Sequence, residues 1–194
     1  MVQISIDGGK ALAKKLREIA SKLEKASTLN VGFLEGADYP DGTPVASIAA
    51  IQEWGATIDV AAHTQTIYRQ TNKKATAFNK KGRFVKKSQS NFASEHSVAA
   101  HTITIPARPF FRSMAKSGQK HWADDIGQIL PAKGYDAELT MNLMGKKLKG
   151  ELQDSIRNWS EPPNAPSTIA KKGFDKPLID TGDMLRAVGS EVTE

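Results

Sequence analysis

The 194-residue chain contains no cysteine and no long apolar run. Without cysteine it can form no disulfide, use no thiolate nucleophile and build no cysteine-based zinc site. No stretch approaches the ~18 consecutive apolar residues expected of a membrane-spanning helix. The N-terminus, Met1–Asp7, also lacks the basic start and apolar run of a secretion signal. We therefore expect a protein that stays in a cytoplasm-like compartment and does not bind a membrane.

Positive charge is concentrated in one stretch of the chain. The whole sequence carries a formal charge of +6. Between His63 and Lys120 there are twelve basic residues and one acid, Glu95, so this stretch carries +11 and the remainder carries −5. Such an asymmetry indicates a surface directed at nucleic acid or at an acidic neighbouring subunit, unless the stretch is a loop whose lysines only keep it soluble.

Apolar residues recur at helical spacing in several segments. The predicted helices run from the turn at Asp7–Gly9 to about Ala26, from Val45 to Trp54, from about Phe110 to Leu130, from about Asp136 to Trp159, and over a short stretch around Gly182–Ala187. For the helix that begins at Val45, Thr43 is predicted as the N-cap and Pro44 as a first-turn residue. The segment Pro131–Gly134 is predicted to break the helix that begins at about Phe110.

A small antiparallel sheet and a long basic hairpin are predicted beside these helices. Thr28–Leu34 alternates like a strand, and short β-type runs lie between lysine-rich turns at Thr66–Tyr68, Gly82–Val85 and Thr102–Ile105. We predict an α+β fold, with a core domain formed by residues 1–57 and 102–194 and a basic β-hairpin arm formed by 58–101. The candidate contacts of this arm to DNA or to another subunit are Arg69, Lys73, Lys74, Lys80, Lys81, Arg83, Lys86 and Lys87.

Motifs for catalysis and metal binding are sparse. The four histidines, His63, His96, His101 and His121, form no His-Glu-x-x-His pattern, and no phosphate-binding loop is present. Asp124 and Asp125 are predicted to lie on the solvated face of a helix. Asp180 and Asp183 offer acidic groups to a hydrolase, but they also fit a helix-capping turn in which Asp180 or Thr181 accepts from backbone amides. We predict that the protein is not an enzyme and binds no cofactor or metal. A hydrolase that uses these acids or a histidine is the competing hypothesis.

Aromatic residues interleave with the basic ones. Tyr68, Phe78, Phe84 and Phe92 could stack on the bases of single-stranded nucleic acid while the cations contact phosphates. Packing between strands explains the same aromatics equally well. A nucleic-acid-binding module without sequence preference is therefore the alternative function.

Three segments, taken in order, resemble the neck and tail-completion proteins of tailed bacteriophages, a group of virion morphogenesis and minor tail components. The segments are Val31–Leu34 with Pro44–Gly55, then Ile105–Arg112, then Asn164–Gly173 with Lys176–Leu185. The resemblance covers both ends and the centre of the chain well and covers Ile58–Ala100 poorly. It implies an α+β subunit without catalysis or cofactor.

The same segments have a physical interpretation, and their structural candidates are Pro106, Arg108, Pro109, Phe110, Phe111, Asp180, Thr181 and Gly182. The segment Pro106–Pro109 is a stiff connector between strand and helix. Phe110 and Phe111 are expected to anchor this corner in the core, while Arg108 and Arg112 stay free for a neighbour.

The resemblance and the charge pattern together favour a structural protein of the virion. We expect a homo-oligomeric ring of roughly six or twelve copies at the head–tail junction or at the head-proximal end of the tail. Its partners would be other neck and tail proteins and the DNA that passes through the ring. The protein would be assembled in the host cytoplasm and reside in the virion.

Overall fold

The structure, a computed structural model, describes residues 9–24, 28–70 and 83–193. They form two compact units, one drawn from residues 1–56 and 106–194 and the other from 57–105. Helices and small antiparallel sheets are both present, which confirms the predicted α+β class. The basic hairpin arm predicted for 58–101 is not shown, and its central residues 71–82 lie outside the described part of the chain.

The helices and strands follow one another in mixed order along the chain. They are α1 (Gly9–Leu23), β1 (Thr28–Phe33), α2 (Val45–Trp54), β2 (Ala56–Val60), β3 (His63–Gln70), β4 (Arg83–Phe84), β5 (Phe92–Val98), β6 (His101–Ile105), α3 (Phe110–Gly118), α4 (Trp122–Ala132), α5 (Ala137–Asn158), α6 (Pro166–Lys172), α7 (Asp183–Arg186) and β7 (Val188–Thr193). The strand at Thr28 and the helices at Val45, Asp136 and Gly182 were predicted close to these bounds, whereas β2, β5 and β7 were not predicted.

The sheet of the first unit joins the start of the chain to its end. Strands β1 and β7 pair antiparallel, in a register that runs from Thr28 opposite Thr193 to Phe33 opposite Val188. Helix α5 lies against this sheet. It can come close because Gly145 has no side chain: a Cβ there would lie 3.0 Å from Leu29 Cδ1 and 3.1 Å from the Ser190 side chain.

The core of this unit collects side chains from distant parts of the sequence. Its buried members are Val45, Ala49, Phe110, Met114, Leu152, Ile156, Leu178, Met184 and Val188. Helix α5 contributes through the helical spacing of its apolar residues, and it begins where the Asp136 carboxylate accepts from Leu139 N at 2.9 Å. The core therefore depends on long-range pairing of segments rather than on one local motif.

The single helix predicted from Phe110 to Leu130 is wrong, because the chain forms two helices there with a break between Gly118 and Trp122. The Trp122 indole packs so closely on Gly118 that any Cβ would overlap its ring. Its Nε1 donates to Glu151 of α5 at 2.9 Å, and His121 Nε2 lies 3.0 Å from the same carboxylate. The chain turns at this point to bring both side chains onto Glu151. The segment Pro131–Gly134 ends the second helix as predicted, because α4 ends at Ala132 and Lys133 is its C-cap.

The start of α2 also differs from the prediction. Pro44 stands before the helix in an extended conformation, where it forms a β-bridge with Asp38, and Thr43 is not the N-cap. Val45 N donates to Ala37 O at 2.9 Å, so the backbone closes the preceding loop at the helix start. Thr43 N donates to the Asp41 carboxylate at 3.0 Å, which fixes the turn of this loop.

The described part of the second unit, residues 57–70 and 83–105, forms two small antiparallel sheets. Strand β3 lies between β4 and β5 and pairs with β5 from His63 opposite Val98 to Arg69 opposite Phe92. Strands β2 and β6 form the other sheet, in which Thr102 Oγ1 donates to Asp59 Oδ1 at 2.7 Å. Every described side chain of this unit keeps part of its surface exposed. Backbone pairing rather than a buried core therefore defines the described part of this unit.

Candidate functional site

A buried carboxylate connects the end of α2 to the start of α3. Glu53 is 6 % exposed, and its oxygens accept from Phe111 N at 2.9 Å and from Arg112 N at 3.2 Å. These amides belong to the first turn of α3, where a helix has no backbone acceptor of its own. A carboxylate at this end also interacts favourably with the helix dipole. Glu53 therefore caps α3 from a different helix.

Arg112 completes this arrangement. Its Nε donates to Glu53 Oε1 at 2.8 Å and its Nη2 donates to Glu53 O at 3.1 Å. The guanidinium carbon lies 3.8 Å from the ring centroid of Trp54, within the range of a cation–π contact. The expectation that Arg112 stays free for a neighbour is wrong, because Glu53 and Trp54 hold its head group.

Arg108 is more deeply engaged. It is 6 % exposed, and it donates from Nη1 to Gln52 Oε1 at 2.6 Å, from Nε to Pro162 O at 3.2 Å and from Nη2 to Pro163 O at 3.4 Å. Burial lowers the pKa of Arg108, and the charge of Asp175 opposes that shift. The expectation of a free Arg108 is therefore wrong as well, because the planar fork of donors matches three acceptors inside the fold.

Arg108 and its partners join the segments that carry the resemblance. Gln52 lies in the first segment, Arg108 lies in the second, and Pro162–Pro163 stands directly before the third. Leu178 of the third segment shares the core with residues of the other two. Segments more than 50 residues apart thus meet at one place, which we call the motif junction: Gln52, Glu53, Arg108, Arg112 and Pro162–Pro163.

The connector residues lie beside this junction. Pro106 is exposed, and Pro109 directly precedes α3 as its N-cap residue. Phe110 is fully buried and meets Phe33 edge-on, with ring centroids 6.4 Å apart. Phe111 is half-buried and packs against the core, so both aromatic anchors lie as expected.

An apolar groove opens next to the junction, with a volume of about 250 Å³. It runs along one side of α2, between this helix and Phe33, Phe110 and Phe111, and we call it the α2 groove. Its lining is formed by Phe33, Ala46, Ala49, Ala50, Glu53, Trp54, Phe110, Phe111 and Arg112. Trp54 is 65 % exposed and Ala46 and Ala50 are exposed too, so this face of the helix is open to a partner.

A second cavity, of about 510 Å³, lies between the loop that precedes α2 and the segment Pro177–Met184. Tyr39 lines it, and burial raises the pKa of this phenol, with a further rise from the charges of Asp183, Asp180 and Asp41. The cavity is thus a mixed surface of apolar side chains and carboxylates.

The turn at Asp180–Gly182 caps α7 differently from the prediction. Gly182, with φ +84°, occupies the N-cap position. The Thr181 hydroxyl donates to the Asp183 carboxylate, which also accepts from Arg186, and these two bonds hold the pKa of Asp183 below its ordinary value. The prediction that Asp180 or Thr181 accepts from backbone amides is therefore wrong. Asp183, a candidate acid for hydrolysis, is engaged in the turn.

The other candidate acids and histidines are dispersed. Asp125 pairs with Lys147 of α5 and is partly buried, so it is not on a solvated face as predicted. His63 contacts Ala61 O, His101 contacts Ala99 O and His96 contacts Ser94 Oγ. Within residues 9–24, 28–70 and 83–193 no group of His, Asp and Glu could hold a metal ion. The helices of these same ranges include none that is long and apolar enough to cross a membrane.

The predicted basic contacts divide between described and undescribed residues. Arg69 lies in β3, Arg83 lies in β4, and Lys86 and Lys87 lie at a 3-10 turn that precedes β5. The remaining four, Lys73, Lys74, Lys80 and Lys81, lie outside the described residues.

No protein-family model, curated protein or solved structure matches this chain.

Proposed function

We propose that this chain is a structural subunit of a tailed-phage virion that joins a homo-oligomeric ring at the neck or at the head-proximal end of the tail. The observation that carries the proposal is the motif junction. Arg108 binds Gln52 and the carbonyls of Pro162 and Pro163, so the first two segments that resemble tail-completion proteins meet each other and the residues directly before the third. Leu178 of the third segment packs in the same core as residues of the other two. A shared scaffold is what such a resemblance requires.

The exposed surfaces suit a subunit that is completed by neighbours. The α2 groove leaves Trp54 and two alanines open. In the second unit every described side chain is at least partly exposed, and small isolated sheets are marginally stable without a partner to cover them. In a ring each such contact repeats with the symmetry, so modest contacts add up to a strong joint.

The basic stretch gives the ring two possible contacts in the virion. Its cations, Arg69 and Lys86 among them, would face either acidic neck and tail proteins or the DNA that passes through the ring. Contacts to passing DNA would be loose and without sequence preference, because they involve phosphates rather than base edges. This part of the proposal fails if deletion of residues 69–87 leaves both assembly and DNA delivery unchanged.

The test of the virion role is a null mutant of the gene in the phage that carries it, with lysates examined by negative-stain electron microscopy. Filled heads beside separate, unjoined tails are expected, and a plasmid copy of the wild-type gene should restore joined particles. Normal joined particles without the gene would overturn the proposal. They would favour the alternative, a nucleic-acid-binding module, whose affinity must fall steeply with salt.

A further inference from the structure

A short turn at one end of the three-stranded sheet gathers lysines and other polar side chains. It comprises residues 86–91, with the sequence Lys-Lys-Ser-Gln-Ser-Asn, and we call it the basic turn. Val85 N donates to Tyr68 O and Asn91 N donates to Arg69 O, each at 3.2 Å. Both ends of the basic turn are therefore attached to strand β3.

The basic turn uses its carbonyls internally and leaves its lysines exposed. The Lys86 carbonyl accepts from Gln89 N at 2.9 Å, and the Lys87 carbonyl accepts from Ser90 N at 3.3 Å and from Ser90 Oγ at 2.9 Å. Both lysine side chains are exposed. Among the residues that the structure describes, none forms an ion pair or a side-chain hydrogen bond with either ammonium group. These two cations are thus available to a partner.

Acidic residues are rare in the second unit and lie away from this turn. Residues 57–105 contain eight lysines and arginines and only two acids, Asp59 and Glu95, so they carry +6. The Asp59 carboxylate accepts from Thr102 in the other sheet of the unit. Glu95 lies three residues into β5, about 10 Å along the strand from Phe92, where the basic turn joins it. The potential at the turn is therefore positive.

We propose that the basic turn binds the phosphate backbone of duplex DNA without reading its sequence. Lysine, serine, asparagine and glutamine side chains are among those that contact phosphates in protein–DNA complexes. All six residues of the turn belong to this set, and none is acidic or apolar. The ammonium groups of Lys86 and Lys87 supply the charge, and the neighbouring hydroxyl and amide groups supply hydrogen bonds.

The composition of the turn favours duplex DNA over two other partners. A protein interface depends on buried apolar or aromatic anchors, which six polar residues do not offer to an acidic neighbour. Single-stranded nucleic acid requires open aromatic rings on which its bases stack. Tyr68 and Phe92, the tyrosine and phenylalanine of this unit whose side chains the structure describes, are both half-buried. Contacts to phosphates need only the groups that the turn exposes.

This inference rests on the proposed function for the DNA that the turn meets, and it names DNA rather than an acidic protein as the partner of the basic stretch. In a ring every copy presents one basic turn, so a weak contact is repeated around the DNA by the symmetry. A contact through two flexible lysines and no base edge also lets the DNA move past it.

Fluorescence anisotropy of a short labelled DNA duplex, titrated with the full-length chain at several salt concentrations, tests this contact. The slope of log K against log salt is about −0.9 for each phosphate contacted. Lys86→Ala/Lys87→Ala should therefore make the slope shallower by about 1.8 and weaken binding by about tenfold or more at about 50 mM salt. Lys86→Arg/Lys87→Arg should keep the slope, because arginine also contacts phosphates.

Lys14→Ala/Lys15→Ala is the matched control. These two lysines of α1 are also adjacent and exposed, so the control changes the net charge equally but outside the basic turn. Its slope should stay close to that of the wild type, and circular dichroism would verify the fold of every variant. Equal changes of slope for the two alanine pairs would overturn the proposal, since net charge alone would then explain them. A wild-type chain that does not bind the duplex at low salt would overturn it as well.

Unlabelled competitors distinguish the other partners. Duplexes of different sequence should compete equally, because no base is read. A single strand of the same length that competes more strongly would indicate stacking, and poly-glutamate that competes as strongly as duplex DNA would indicate an acidic protein surface. Either result would overturn the proposal.

The outcome is independent of the null-mutant experiment. Unjoined heads and tails in the null mutant, with an unchanged slope for Lys86→Ala/Lys87→Ala, would reject this contact and keep the virion role. A shallower slope for this variant, with normal joined particles in the null mutant, would keep the DNA contact and reject the virion role.

Discussion

Replacement of Glu53 should reveal how strongly the junction supports the fold. Glu53→Ala removes the acceptor of two amides in the first turn of α3 and leaves the Arg112 guanidinium without its carboxylate partner. A helix cap contributes about 0.5–2 kcal/mol. Hydrogen bonds that involve a charged group contribute about 1.5–3 kcal/mol, but Arg112 is half exposed and solvent screens its share. We expect a loss of about 2–4 kcal/mol in the free energy of unfolding.

Two further variants divide this loss into its parts. Glu53→Gln keeps the size of the side chain and one good acceptor oxygen but removes the charge, so about 1–2 kcal/mol should be lost. Arg112→Ala leaves the cap intact and removes only the partly exposed ion pair and the contact with Trp54, so about 1 kcal/mol should be lost. The expected order of destabilisation is Glu53→Ala, then Glu53→Gln, then Arg112→Ala.

Urea unfolding followed by circular dichroism measures these differences, provided that the denaturant slope stays constant. Asp154→Ala is the matched control, because its carboxylate pairs with Arg157 on an exposed helix face and should cost under about 0.5 kcal/mol. A loss below about 1 kcal/mol for Glu53→Ala would show that the carboxylate does not cap α3. An equal loss for Arg112→Ala would assign the effect to the ion pair instead.

Two further perturbations test the packing and the charge of the same unit. Gly118→Ala should destabilise the protein by about 2 kcal/mol or more, because a Cβ would overlap the Trp122 indole at the start of α4. Gly150→Ala, with open space around it in α5, should stabilise the protein by up to about 1 kcal/mol. Similar shifts of the melting temperature for the two variants would contradict this prediction. The Thr181 hydroxyl and then Arg186 lower the pKa of Asp183, so its contribution to stability is present above the unfolded pKa and is lost as the pH falls through the folded pKa. In Asp183→Asn the free energy of unfolding should therefore fall less steeply below about pH 5 than in the wild type. An unchanged dependence on pH would show that Asp183 does not contribute to stability in this way.

The successful predictions concern elements whose signal is local. The leucine spacing of α1, the apolar run of α2 and the long periodic stretch of α5 predicted helices close to the observed ones. The alternation at Thr28–Leu34 likewise predicted β1. Phe110 was predicted as a core anchor because a large aromatic residue follows a rigid connector, and it is fully buried.

The predictions that failed depend on partners distant in sequence. The break between α3 and α4 arises where His121 and Trp122 meet Glu151, about 30 residues away, and nothing in the local periodicity indicates it. Strand β7 exists because β1 pairs with it across almost the whole chain. Glu53 lies in the first segment of the resemblance but was not singled out, yet it is the acceptor that caps α3.

The sequence by itself determined the α+β class, the main helices and the concentration of positive charge, because spacing and composition are properties of neighbouring residues. Only the tertiary structure decided the role of each charge. Arg108 and Arg112 look alike in the sequence, and both were expected to be free. Folding places Gln52 and Glu53 beside them, so one guanidinium is buried on neutral acceptors and the other forms an ion pair. A charged side chain is available to a partner only where the fold supplies no acceptor for it. Because these acceptors lie more than 50 residues away in the sequence, the residues around each arginine do not indicate them.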